Sequence, residues 1–154
     1  MSFASAFAAT AATLFDLPEG RTGSELDATS GRPDFVTLLY PVITMKEPFV
    51  HSASRENLLG KNPTEALMQL LSAELQVTKN SPPTFLVHTQ EDATVPIENS
   101  ILFYQALRRA GVPVEMHLYE KGPHGFGTID GLGPTSEWPK RWEAWMRSHG
   151  WLNR

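Results

Sequence analysis

The sequence predicts an α/β fold in which a small parallel sheet, about three strands, is flanked by helices. Three observations carry that prediction. Thr84–Thr89 and Val114–Tyr119 are short apolar runs separated by a helical segment at roughly Glu98–Ala110. Such a strand–helix–strand crossover is nearly always right-handed and leaves its two strands parallel. A third run, Asp34–Tyr40, is almost continuously apolar and ends at Pro41, the pattern of a strand buried on both faces. Finally, both crossover strands run out into loops with residues suited to acid–base chemistry, Asp92 after the first and His124 after the second. In open α/β sheets, ligands sit along the edge formed by the C-terminal strand ends.

The remaining elements follow in order. Ser2–Phe15 is rich in alanine and predicts a compact helix able to approach a sheet closely. Leu17–Pro33 carries three Gly and two Pro among polar residues and predicts a loop. Val42–Pro63 reads as irregular, with Met45, Pro48, Phe49 and His51 as candidates to line a pocket. Pro63 or Thr64 opens a helix to about Leu75, with Leu67, Leu70, Leu71 and Leu75 at helical spacing. Ser81-Pro82-Pro83 then breaks the chain before the Phe85 strand. A Gly-rich loop, Gly125–Pro134, precedes a last helix from about Ser136 to His149, with Trp138, Trp142, Trp145 and Met146 on one face.

Composition narrows the function classes. A chain of 154 residues is read as one domain, spanning 1–154, with enough length to bury a real core. The formal net charge of −4 argues against nucleic acid as a partner, because binding phosphates calls for a basic face. No apolar run reaches the length of a membrane span, so no membrane partner is expected. The absence of cysteine removes a disulfide framework, a thiolate nucleophile and a thiolate metal site. The N-terminal stretch is small and apolar but lacks the positive opening of a signal peptide, so a cytoplasmic location is expected. No His-x₃-His or carboxylate cluster appears at ligand spacing, and neither a metal nor a cofactor is predicted.

From Ala8 to Trp151 the chain resembles the C-terminal half of an α/β-hydrolase of the esterase/lipase type. The acetyl-esterase or xylan-esterase-like branch, related to prolyl-oligopeptidase-type hydrolases, is the nearest likeness. The segments that carry it are Phe35–Ile43; Pro83–Ser100, with its His-Thr-Gln-Glu-Asp and Val-Pro-Ile-Glu-Asn-Ser; Phe103–Gly111; and Tyr119–Gly127, with Gly-Pro-His-Gly-Phe. The resemblance implies Asp92 as triad acid and His124 as triad base. Family members carry a His-Gly-Gly oxyanion loop and a Gly-x-Ser-x-Gly elbow, and neither motif occurs in these residues. Counting back without gaps from the Ala8–Phe15 helix puts Ser2 at the nucleophile position; a gapped reading favours Ser5. The chain is accordingly expected to be a truncated α/β-hydrolase.

Each candidate also has a plainer reading. Asp92 could be a turn residue, and Ser2 a frayed terminal residue. Ser5 could be a small packing residue on its helix. His88 and His117, inside strands, are expected to pack; His51 and His149 are expected to be solvated. Glu91 reads as loop charge and Glu98 as helix N-terminal charge. The expected function is a weak serine-type carboxylesterase acting on small acyl esters, with Ser2 or Ser5 as nucleophile. The alternative is a catalytically silent fragment that folds and oligomerises. An unpaired edge at Asp34–Tyr40 predicts a homodimer or higher homo-oligomer with a large apolar interface.

Overall fold

The computed structural model describes residues 3–18 and 22–153, with the side chains of 3–5 and 26 outside that description. Helix α1 (Phe3–Leu14) opens the described chain and is followed by a loop holding one 3₁₀ turn at Glu25–Ala28. Strand β1 (Val36–Leu39), helices α2 (Ser52–Leu59) and α3 (Glu65–Leu70), and a 3₁₀ turn at Ala73–Leu75 come next. The crossover unit consists of β2 (Thr84–Thr89), α4 (Glu98–Arg109) and β3 (Val114–Tyr119). A 3₁₀ turn at Gly133–Glu137 leads into α5 (Trp138–Ser148).

The sheet has the order β1-β2-β3 and both pairings are parallel, with Val36 opposite Thr84 and Thr84 opposite Val114. Side chains alternate across it, as the strand repeat of two demands. One face carries Val36, Leu38 and Leu86, which pack with Ala9 and Ala12 of α1 and with Phe103 and Leu107 of α4. The other face carries Phe85 and Val87, which pack with Phe126 and with Trp145 and Met146 of α5. This is a three-layer sandwich, helix–sheet–helix. Alanines at Ala6, Ala9 and Ala12 are buried along one side of α1, so its backbone can approach the sheet closely. Burying Phe103 and Leu107 stabilises by roughly 1.5–3 kcal/mol each relative to exposure.

Three expectations differ from what is observed. Val42–Pro63 is not wholly irregular, because it contains α2. That helix lacks an apolar stripe, and Ser54 is its only buried residue, so no periodicity marked it. The single helix expected to run to Leu75 is instead α3 plus a 3₁₀ turn, capped by the Thr64 side chain, which accepts from the Leu67 N–H. Leu70 and Leu75 are exposed, so the leucine spacing there is not a core stripe. Strand β1 is buried alternately rather than throughout: Val36 and Leu38 are enclosed, while Thr37 and Leu39 are half-buried. Thr37 instead uses its hydroxyl to accept a hydrogen bond from the Trp142 indole N–H at 2.8 Å.

Candidate active site

The site forms where β2 and β3 run out on the same sheet edge. After Thr89 the chain turns, and Asp92 stabilises the turn itself: its Oδ1 accepts the backbone N–H groups of Thr94 and Val95, both at 2.9 Å. The loop after β3 is strapped to the end of β2. The Thr89 hydroxyl donates to the Gly122 carbonyl at 2.7 Å, and the Gly122 N–H donates to Glu91 Oε2 at 3.1 Å. The Thr135 hydroxyl donates to the Lys121 carbonyl. Gly122 has φ +136°, and a Cβ there would lie 3.1 Å from Thr89 Cγ2, so only glycine fits this close approach without strain. Fully buried Phe126 pins the far end of the loop.

Held in this way, His124 presents Nδ1 to Asp92 Oδ2 at 2.7 Å. The Asp92 side chain is fully buried, whereas that of His124 remains partly exposed. Burial pushes the Asp92 carboxyl up. Hydrogen bonds from His88, the Val95 N–H, His124 and the Thr94 N–H outweigh that cost and hold it well below the usual carboxylate range. An ionised carboxylate only accepts hydrogen bonds, so Nδ1 of His124 carries a hydrogen, and in the neutral ring the lone pair is on Nε2. A partly exposed imidazole backed by a buried carboxylate has the arrangement that a general base requires.

The surroundings contain residues that sequence reasoning passed over. His88 is fully buried in β2, and its Nε2 also lies on Asp92 Oδ2, at 3.2 Å. It is packed inside, as a strand residue was expected to be, but the ring also contacts the proposed acid; a histidine directly after Phe85-Leu86-Val87 was the available signal. The Tyr40 ring meets His124 edge-on at 4.9 Å between centroids and Phe126 likewise. Tyr40 sits at φ +41°, uncommon for a bulky residue and of the kind that clusters at functional sites. His51, expected to be solvated, is half-buried, with Nδ1 2.7 Å from Ser54 Oγ. Burial, then repulsion from His124, pushes the His51 imidazole down, partly offset by the Asp92 charge. Glu91 is not free loop charge, since it accepts from the Gly122 N–H. Met45 is fully buried and therefore lines no open pocket.

Buried Asn99 joins α4 to the segment after β1. Its Oδ1 accepts from the Ile43 and Thr44 N–H groups at 2.8 and 3.0 Å. Its Nδ2 donates to the Phe49 and Pro96 carbonyls at 2.9 and 3.0 Å. His117 pairs within its strand with Glu115 at 2.8 Å, away from the Asp92–His124 pair. Ser2 lies outside the described residues. Ser5 lies on α1, but its side chain is outside the description, so neither nucleophile candidate is located relative to His124. Among the described residues, no group of His, Cys, Asp and Glu is arranged to hold a metal. No helix among them is long and apolar enough to cross a membrane.

Comparison with known proteins adds to this geometry. A profile of the prolyl oligopeptidase family matches residues 38–147. The chain is 47% identical over 96 residues to endo-1,4-beta-xylanase B of Butyrivibrio fibrisolvens, a match covering 62% of this chain and 15% of that protein. It is 37% identical over 100 residues to acetylxylan esterase of Xylanibacter ruminicola, covering 62% of this chain and 21% of that protein. A crystal structure of an acetyl ester-xyloside bifunctional hydrolase from Caldicellulosiruptor lactoaceticus superposes with a TM-score of 0.91 at 39% identity. That superposition covers 99% of this chain and 56% of the other. The match thus spans well under half of the two sequence relatives and little more than half of the solved structure. With the profile covering most of the chain and the sheet and helices superposing on an esterase, the chain belongs to the prolyl oligopeptidase family and has the esterase-type α/β-hydrolase fold.

Proposed function

We propose that the chain is a serine-type carboxylic-ester hydrolase acting on small acyl esters, with acetyl esters as the substrate class. One observation carries the reading: a buried, charged Asp92 fixes the tautomer of His124 across 2.7 Å and leaves Nε2 as a base. The acetyl preference rests on the names of the relatives, an acetylxylan esterase and an acetyl ester-xyloside hydrolase.

In this mechanism a serine hydroxyl attacks the ester carbonyl while His124 Nε2 accepts the hydroxyl proton. The tetrahedral intermediate collapses, the C–O bond to the alcohol breaks, and His124 returns the proton to the leaving alkoxide. Water then attacks the acyl-serine with His124 again as base, releasing the acid and restoring the serine. Asp92 stabilises the imidazolium at each stage. Ser2 is the proposed nucleophile: counting back without gaps from the Ala8–Phe15 stretch supports it, and N–H donors at a helix start would stabilise a developing oxyanion. Ser5 is the fallback. Turnover by these 154 residues alone is expected to be slow, because a His-Gly-Gly loop and a Gly-x-Ser-x-Gly elbow are not among them. Each lost oxyanion donor costs roughly 10²–10³-fold.

Hydrolysis of p-nitrophenyl acetate, lost in His124→Ala, supports the reading. Equal residual rates in wild type and His124→Ala would return the chain to the silent, folding-only alternative. Reaction with a serine-directed phosphonate, followed by mapping of the label, identifies the nucleophile. We further propose that copies associate through β1. That strand lies at a sheet edge, and Phe7 on α1 is 77% exposed.

A further inference from the structure

We propose that His88 is a positioning residue of this site, whose Nε2–H holds the second oxygen of Asp92 in the orientation that His124 requires. The inference rests on the ester-hydrolase reading above and extends it inward, to a fully buried side chain.

The hydrogen-bond roles follow from valence. His88 is fully buried, and its Nε2 faces two groups that can only accept, Asp92 Oδ2 at 3.2 Å and the Val95 carbonyl at 3.1 Å. Nε2 must therefore carry a hydrogen. Its Nδ1 lies 2.8 Å from Ser100 Oγ, whose hydroxyl donates to the remaining lone pair. Ser100 is itself buried on α4, so the ring is clamped between a central strand and a packed helix.

Asp92 is thereby held on both sides. Oδ1 is tied by two backbone N–H groups of its own turn, and Oδ2 receives the His124 N–H and lies 3.2 Å from His88 Nε2, whose hydrogen also faces the Val95 carbonyl. Without His88, only the partly exposed ring of His124 would hold Oδ2, and the carboxylate plane could tilt about its Oδ1 anchor. Because triad chemistry depends on sub-ångström placement, that freedom weakens the base rather than substrate binding. Packing alone gives no reason for a histidine here, since an apolar residue would fill the interior of β2 without needing partners.

Two substitutions separate the ring nitrogens. His88→Asn keeps a polar group near the Nδ1 position but provides nothing at Nε2; His88→Gln places an amide near Nε2. With p-nitrophenyl acetate, His88→Asn is expected to lower kcat about tenfold to a hundredfold while KM stays within about twofold. His88→Gln is expected to recover most of that loss. In isotope-labelled protein without substrate, the hydrogen-bonded Nδ1–H signal of His124, assigned by its loss in His124→Ala, should fade in His88→Asn and persist in His88→Gln. Near-wild-type kcat and an intact signal in folded His88→Asn overturn the proposal. So does equal damage from both substitutions in folded protein, which would mean that the ring acts through Nδ1 or by packing. If His88→Asn does not fold, the wild type still decides: a His88 ring without hydrogen on Nε2 overturns the inference. Failure of the hydrolase reading is seen separately, as wild-type turnover that does not depend on His124, and the ring signals are read whether or not the protein turns over ester.

Discussion

Replacing Asp92 with Asn probes the site most sharply, because the change is nearly isosteric and its consequences can be counted atom by atom. The carboxylate accepts three N–H groups, two from the backbone on Oδ1 and that of His124 on Oδ2, and His88 Nε2 lies 3.2 Å from Oδ2. An amide has one acceptor oxygen and one NH₂ donor. If its oxygen keeps the backbone pair, the NH₂ group faces the N–H groups of both His88 and His124. The His124 ring then relieves the clash by moving its hydrogen to Nε2, which removes the lone pair needed for catalysis. If the amide is reversed, the Thr94 and Val95 N–H groups meet a donor instead, and each unsatisfied buried group costs about 1–3 kcal/mol. The first arrangement is therefore expected, with a roughly 10⁴-fold loss in kcat and little change in KM. Initial rates on p-nitrophenyl acetate measure it, and urea unfolding confirms that the variant is folded. A folded Asp92→Asn protein that keeps kcat within tenfold of wild type would refute the assignment of Asp92 as the group that sets the His124 tautomer.

Other perturbations test the supports of the site. Asn99→Ala removes four hydrogen bonds, two of them buried, and strands the Ile43 and Thr44 N–H groups; a loss of at least about 2 kcal/mol in urea unfolding is expected, with faster proteolysis between residues 43 and 51. Stability should also fall in acid. The Asp92 carboxyl is held down in the folded chain, so its contribution is full above an unfolded value of about 3.9 and is lost as pH falls towards the folded one. His51, also held down, adds a loss of the same sign that begins near its ordinary 6.5. Urea midpoints measured from pH 7 to 3 should decline for the wild type, with a shallower decline below pH 5 in Asp92→Asn. The proposed association through β1 predicts a light-scattering mass at least twice 17.1 kDa at micromolar concentration, and a monomer would end that proposal.

Strands β2 and β3 begin and end at the residues the sequence indicates, and α4 comes within one residue of its expected end. The reasons are local: β2 is buried on both faces and carries the unbroken apolar run Phe85-Leu86-Val87, and Phe103 and Leu107 lie one helical turn apart. By contrast α2, with the sequence Ser-Ala-Ser-Arg-Glu-Asn-Leu-Leu, carries no stripe and buries one serine, so no period was there to read. Leu70 and Leu75 show the converse, since spacing that looks like a core face is left exposed when nothing packs against it.

The same division holds at the site. The handedness of a strand–helix–strand crossover is a property of any L-polypeptide, so sequence alone determined that the loops bearing Asp92 and His124 would share one edge of the sheet. Their separation of 2.7 Å, the glycine-dependent strap at Gly122, the half-buried place of His51 and the second imidazole on Asp92 were decided by tertiary structure. Periodicity records which face of an element avoids water. Which polar atoms meet across distant loops depends on sub-ångström packing between segments, and the one-dimensional pattern carries no record of that distance.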